Sequence, residues 1–129
     1  MILTIRTDKP EAEIGLFSGD GNELKYLTWQ AHRQLGETLH TRLAELLAGV
    51  GAEYNDLTGV VFYQGPGSFT GLRIGAAVAG ALSHTLKISL VNCGGKDWVK
   101  LGLERLKAGE SEVVKIFYGE EPRTTLPRK

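Results

Sequence analysis

The chain has 129 residues, of which 42% are hydrophobic and 23% charged, which suits one globular domain with a single core. Fifteen basic residues balance fifteen acidic ones, and this excludes a protein that holds nucleic acid by bulk positive charge. Cys93 is the only cysteine, so no disulfide can form within the chain. No stretch approaches the ~20 apolar residues of a membrane span. The sequence therefore predicts a cytoplasmic protein that does not contact a membrane.

The predicted elements begin with three strands in the first thirty residues. Met1 to Thr7 has strand composition, and Glu11 to Phe17 alternates apolar with polar residues. The segment Gly19 to Asn22 predicts a hairpin turn, which leads into a third strand from Glu23 to Trp29. A first helix is predicted from Leu35 to Val50, because its leucines fall in one stripe of the helical wheel.

The second half of the chain alternates strands with helices. Leu57 to Tyr63 predicts a buried strand, and a second helix follows from Ser68 to Thr85. A short strand is predicted from Ile88 to Asn92, a third helix from Lys96 to Lys107, and a last strand from Val113 to Tyr118. The domain division that follows is one lobe over residues 1–108, with a strand and an irregular tail over residues 109–129.

The order of the first five strands and the three helices, β-β-β-α-β-α-β-α, predicts their arrangement. Right-handed crossovers that run in one direction across a sheet place their helices on the same face. The first two helices should therefore lie side by side on one face, with the third helix on the other. The predicted fold is α/β, a mixed five-stranded sheet with helices on both faces, which is the plan of a single ribonuclease-H-like lobe of the actin-like ATPase superfamily.

The segment from residue 65 to 75, Gly-Pro-Gly-Ser-Phe-Thr-Gly-Leu-Arg-Ile-Gly, allows three interpretations. It could hold a phosphate at a helix N-terminus, although neither its spacing nor its composition matches the known phosphate-binding loops. It could be a tight strand-to-helix turn capped by Ser68 or Thr70, in which Gly67 adopts a backbone conformation open mainly to glycine. The residues assigned to this structural loop are Gly65, Pro66, Gly67, Ser68, Thr70, Gly71 and Arg73.

The third interpretation is a helix interface, because small residues continue into the second helix. Ile74, Val78 and Leu82 share one side, which should pack on the sheet, and the small residues cover the adjoining side. Each interior glycine costs a helix about 1 kcal/mol relative to alanine, so another backbone should approach closely. The predicted interface residues are Leu39 and Leu43 of the first helix and Leu72, Gly75, Ala76, Ala79, Gly80 and Ser83 of the second.

The same eleven-residue string resembles the signature of the TsaB (YeaZ) family, and the resemblance extends over about residues 1–106. It implies a non-catalytic partner of TsaD, the subunit that carries nucleotide and metal and makes threonylcarbamoyladenosine in tRNA. In that family, the two helices on one face of the first lobe form a bundle with TsaD, a TsaE ATPase docks on the pair, and tRNA is reached only through the complex. The ending from Tyr118 resembles the last residues of some members, which implies a minimal single-lobe form that lacks the second lobe.

Two departures from the family bear on nucleotide binding. Arg6 stands where the first strand of the family usually has an aspartate, and the resemblance implies that the second lobe, which would close a nucleotide cleft, is absent. The sequence therefore predicts no catalytic residue, no metal, no cofactor and no specific ATP binding. Two alternatives stay open: a homodimeric regulatory module that uses the same helix face, and a nucleotide-dependent enzyme. An isolated chain should self-associate through the first two helices.

Overall fold

A computed structural model describes residues 1–117 of the chain. Five strands and three α-helices lie within this range. The strands are β1 (Ile2–Arg6), β2 (Glu11–Phe17), β3 (Glu23–Gln30), β4 (Gly59–Tyr63) and β5 (Ser89–Cys93), and the helices are α1 (Leu35–Gly49), α2 (Phe69–Leu86) and α3 (Trp98–Lys107). Two short 3-10 helices, His32–Gln34 and Tyr54–Asp56, precede α1 and β4.

The strands form one mixed sheet in the order β3-β2-β1-β4-β5. Strands β1 to β3 are an antiparallel meander, and β4 and β5 run parallel to β1. Ile2 of β1 lies opposite Phe17 on one side and Gly59 on the other, which fixes the register at this end of the sheet. The predicted mixed five-stranded sheet is confirmed.

The helices divide between the two faces as the crossover rule requires. Helices α1 and α2 share a core with the sheet residues that point to their face, among them Leu3, Ile5 and Phe62. Helix α3 packs on the opposite face, where Trp98 joins Val61 and Val91 in a second cluster. This arrangement confirms the predicted ribonuclease-H-like lobe.

The last predicted strand is wrong over the residues that the structure describes, because residues 111–117 form no strand. The segment lies along the outer edge of β5, where the side chain of Asn92 takes the place of a backbone ladder. The Asn92 amide donates to the carbonyl of Val113 over 2.9 Å, and its oxygen accepts from the amide of Lys115 over 2.7 Å. Tyr118, the end of the predicted strand, and the tail beyond it lie outside the described residues.

The seating of α2 on the sheet differs from the expected one. Leu72, Gly75 and Ala79 are buried against the sheet, whereas Ile74, Val78 and Leu82, which were expected there, are only half-buried. A Cβ atom at Gly75 would overlap the Thr7 hydroxyl and lie 3.3 Å from the Phe62 ring. Gly75 therefore allows the helix to lie close to its own sheet.

Candidate functional site: the groove between the paired helices

An apolar groove of about 470 Å³ lies between α1 and α2 on their outer side. We call it the α1–α2 groove, and its lining residues are His40, Leu43, Tyr54, Ala77, Val78, Ala81, Leu82, Thr85 and Leu86. The lining contains no acidic residue, lysine or arginine, which is unusual for the outer surface of two amphipathic helices. Beside Tyr54, a smaller depression of about 350 Å³ continues over Ala44 and Ala48 of α1.

The spacing of small residues on α2 explains the groove. Ala77, Ala81 and Thr85 are four residues apart, so they form one ridge along the outside of the helix, and all three are exposed. Val78 and Leu82 lie beside this ridge and are half-buried. Two helices that present low ridges and an apolar seam in this way can accept the ridges of a further helix pair. The groove therefore has the shape and chemistry of a helix-docking surface.

The predicted interface residues are distributed differently. Leu39, Leu43, Leu72, Gly75 and Ala79 are buried within this chain, and of these only Leu43 also lines the groove. The other three, Ala76, Gly80 and Ser83, are half-buried on the flank of α2, and Gly80 lies beside the segment that follows α3. A Cβ atom at Gly80 would lie 3.0 Å from Val114 of that segment.

The exposed surface thus lies one residue further round α2 than predicted. The signal that could have found it is the four-residue spacing of Ala77, Ala81 and Thr85. The prediction rested instead on Gly71, Gly75 and Gly80, because a glycine lowers helix propensity and an alanine does not.

The glycine-rich loop is a tight capped turn. The Ser68 hydroxyl accepts a hydrogen bond from the amide of Gly71 over 3.4 Å, and the Ser68 amide donates to the carbonyl of Asp8 over 2.7 Å. Gly65 has a φ of +111°, a conformation that favours glycine. Gly67 was expected to have such a conformation but does not; a Cβ atom there would lie only 2.7 Å from the carbonyl oxygen of Asp8.

The remaining loop residues turn outward. Thr70 and Arg73 are exposed, and the Arg73 guanidinium lies 5.2 Å from the ring centroid of Phe69. The bond from Ser68 to Asp8 ties the turn to the end of β1, so the loop joins the helix layer to the sheet. The capped-turn interpretation accounts for each glycine before α2.

An internal ion pair occupies the carboxyl end of β1. The Arg6 guanidinium donates to the Asp8 carboxylate over 2.7 Å and lies 4.0 Å from the ring centroid of Tyr63. Burial alone would lower the pKa of Arg6, but the hydrogen bond and charge of Asp8 raise it above its usual value. The Asp8 carboxylate beside the β1–β2 turn is thus engaged by Arg6 rather than free to bind a metal cation.

Beside this pair, Glu13 is held by two donors. The Lys9 ammonium lies 2.8 Å from one of its oxygens, and the Tyr26 hydroxyl donates to the other over 2.7 Å. Burial alone would raise the pKa of Glu13, but the bonds from Lys9 and Tyr26 lower it. Burial and the bond to Glu13 raise the pKa of Tyr26. The charged and polar groups of Lys9, Glu13 and Tyr26 are therefore bonded to one another.

Among residues 1–117, with the side chain of His32 left aside, no group of three or more His, Cys, Asp or Glu side chains is placed to hold a metal ion. Across the same residues, no helix combines the length and the apolar character needed to cross a bilayer.

Comparison with known proteins supplies a family context for the groove. A family model described as "TsaD: tRNA N6-adenosine threonylcarbamoyltransferase" matches residues 29–93, half of the chain, and this range contains both helices of the groove. Curated relatives named "tRNA threonylcarbamoyladenosine biosynthesis protein TsaB" match from several bacteria. The protein from Buchnera aphidicola is 40% identical over 50 residues, which are 39% of this chain and 23% of that protein. The one from Escherichia coli is 27% identical over 134 residues, which are 95% of this chain and 55% of that protein.

A solved structure shows the same fold. It is titled "YeaZ from Pseudomonas aeruginosa" and superimposes with a TM-score of 0.67 at 24% identity, over 72% of this chain and 43% of that one. The present chain therefore spans about half the length of the Escherichia coli relative, and less of the Buchnera aphidicola and Pseudomonas aeruginosa proteins.

Proposed function

Because this chain belongs to the TsaD family of tRNA N6-adenosine threonylcarbamoyltransferases, as a member of the TsaB/YeaZ type, we propose that it is a partner subunit that binds a TsaD-like protein. The docking surface is the α1–α2 groove. Through that contact the chain takes part in making threonylcarbamoyladenosine in tRNA, and it meets tRNA only as part of the complex.

The observation that carries this proposal is the uncharged groove on the outer side of the helix pair. An apolar, exposed surface between two helices usually marks an interface, since a solvated helix face carries charges. The exposed ridge of Ala77 and Ala81 lets a second helix backbone come near, as small residues do in close helix contacts. A helical partner fits this surface better than a small polar ligand, because the groove offers only His40, Tyr54 and Thr85 as polar side chains.

We further propose that the chain supplies no catalytic group of its own. The Arg6–Asp8 pair supports this, because it places a cation at the end of β1 and engages the nearest carboxylate. Calorimetric titration of the isolated chain with Mg-ATP is expected to show no binding. A micromolar, magnesium-dependent site would instead favour a nucleotide-dependent enzyme.

The test of the docking surface is an Ala81→Arg variant. Ala81 is exposed on the ridge of the groove, so a long charged side chain there should block a helix without disturbing the core. The matched control is Ala108→Arg, the same substitution at an exposed alanine on the opposite face of the sheet.

In cells depleted of the native protein, the threonylcarbamoyladenosine content of tRNA is measured by mass spectrometry of nucleosides. The wild-type chain and Ala108→Arg are expected to restore the modified nucleoside and to co-purify with the TsaD-like subunit, and Ala81→Arg to do neither. Restoration by Ala81→Arg at equal protein level would contradict the assignment of the groove. Co-purification of the wild-type chain only with itself would favour the homodimeric module.

A further inference from the structure

Two aromatic side chains are exposed at one end of the molecule. Phe69, the first residue of α2, is 50% exposed, and Phe117, in the segment that follows α3, is 45% exposed. The Phe117 amide donates to the carbonyl of Gln64 over 2.8 Å, which ties Phe117 to the loop between β4 and α2. Both residues therefore lie where the parallel strands β1, β4 and β5 end, the edge at which open α/β sheets bind their ligands.

Two cations accompany these rings. The Arg73 guanidinium lies 5.2 Å from the ring centroid of Phe69, and Lys115 is exposed on the same side of its segment as Phe117, since the residue between them is half-buried. Neither cation is in an ion pair with any of residues 1–117. The three carboxylates of residues 8 to 13 are, by contrast, each paired with a cation of the chain. We call Phe69, Arg73, Lys115 and Phe117 the strand-end surface, which combines exposed aromatic rings with unpaired positive charge.

We propose that the strand-end surface binds an unpaired nucleotide of the tRNA on which the complex acts. The base of this nucleotide stacks on the ring of Phe117 or Phe69, and Arg73 holds a phosphate. Aromatic rings beside an arginine suit single-stranded RNA, because every base has a π face and every nucleotide carries a negative charge. This inference rests on the proposed function and assigns the part of the chain that meets tRNA.

The chemistry of the surface and of the modification favours single-stranded RNA. The N6 amine of adenosine lies on the pairing edge of the base, so its modification requires an adenosine that is unpaired. A partner helix would need an uncharged seam such as the α1–α2 groove, and a small anion would use the cations but not the two rings. The chain has no net charge, so this contact alone is weak, with a Kd of about 10⁻⁴ M, and gains strength only beside a second binding surface in the complex.

The test follows the backbone amide chemical shifts of the 129-residue chain, labelled with ¹⁵N, on titration with an unstructured RNA heptamer. The amides of Phe69, Arg73 and Phe117 are expected to shift with a Kd of about 10⁻⁴ M. Phe117→Ala and Arg73→Gln should each weaken binding roughly tenfold, whereas Phe117→Trp keeps a stacking ring and should retain the affinity. Arg42→Gln is the matched control and should change nothing, because Arg42 also lies over an aromatic ring, 5.7 Å from the centroid of Trp29, but in the middle of α1.

A blunt RNA duplex offers phosphates without unpaired bases and should leave the Phe117 amide unshifted. No shift at the three amides with the heptamer, or an equal response to the duplex, would overturn the proposal. In the complex with the TsaD-like subunit, fluorescence anisotropy should show roughly tenfold weaker tRNA binding for Phe117→Ala, with complex formation unchanged. Weaker complex formation would make the surface a protein interface and would also overturn the proposal. The titration of the free chain needs no TsaD-like subunit, so the proposed function and this inference can fail separately.

Discussion

Replacing Gly75 by alanine tests how α2 is seated on the sheet. The new methyl group would overlap the hydroxyl of Thr7, which donates a hydrogen bond of 2.7 Å to the carbonyl of Gly71. The side chain of Phe62 closes the other side at 3.3 Å. The protein must therefore either displace Thr7 and lose its hydrogen bond or lift α2 from the sheet.

The expected magnitude follows from three opposing terms. Alanine gains about 1 kcal/mol over glycine in a helix interior. Forcing a methyl group into a filled site costs about 1–3 kcal/mol, and losing the Thr7 hydrogen bond costs about 1 kcal/mol more. Gly75→Ala should therefore destabilise the fold by about 1–3 kcal/mol. Gly36→Ala is the matched control, because a Cβ atom at Gly36 meets nothing within 4 Å, and it should be neutral or slightly stabilising.

Urea unfolding followed by circular dichroism measures both variants, and a double-mutant cycle with Thr7→Ala locates the cause. Removing the Thr7 hydroxyl makes room for the methyl group, so the double variant should be more stable than the sum of the single changes by about 1 kcal/mol. If Gly75→Ala proves as stable as Gly36→Ala, the close contact between α2 and the sheet is refuted.

Further predictions concern the edge of β5 and the buried thiol. Asn92→Ala removes the hydrogen bonds to Val113 and Lys115 and should lower the free energy of unfolding by about 1–3 kcal/mol. Hydrogen exchange at the Lys115 amide should become faster, and unchanged exchange would contradict the bond from Asn92 to this amide. The pKa of Glu112 is lowered by its hydrogen bond from the backbone amide of Asn92 and then by Arg105, although burial opposes this. Glu112 therefore stabilises the fold at pH values above the pKa of a free carboxyl group. That contribution should be lost as the pH falls through the lower folded pKa, and a Glu112→Gln variant should show a smaller loss of stability on acidification. Burial raises the pKa of the Cys93 thiol, so alkylation at neutral pH should be slow until urea unfolds the chain; rapid alkylation of the folded protein would contradict its burial.

The element order and the division of helices between the two faces were predictable because they depend on local patterns and on crossover handedness. The predicted bounds of the second helix, Ser68 to Thr85, differ by one residue at each end from the observed Phe69–Leu86. The side of α2 that faces the sheet was not predictable from its own residues. It depends on how closely the helix approaches Thr7, which follows β1, and Phe62, which lies in β4.

The prediction of a last strand was wrong for a similar reason. Residues 113–117 have strand composition, but the side chain of Asn92 bonds to the groups that a ladder would use. The signal in the sequence is Asn92, a polar residue inside the buried strand β5. An interface on the first two helices was predicted, and Leu43 does line the α1–α2 groove. The exposed residues Ala77 and Ala81 were not among the predicted ones, because the prediction rested on the costly glycines of α2.

The most direct test of the proposed function is calorimetric titration of the purified chain with the TsaD-like subunit from the same cells, at several temperatures. Binding through the α1–α2 groove predicts a one-to-one complex with a negative heat-capacity change, the signature of buried apolar surface. Ala81→Arg should abolish the binding heat and Ala108→Arg should leave it intact. No binding by the wild-type chain, or binding that Ala81→Arg leaves unchanged, would contradict the account.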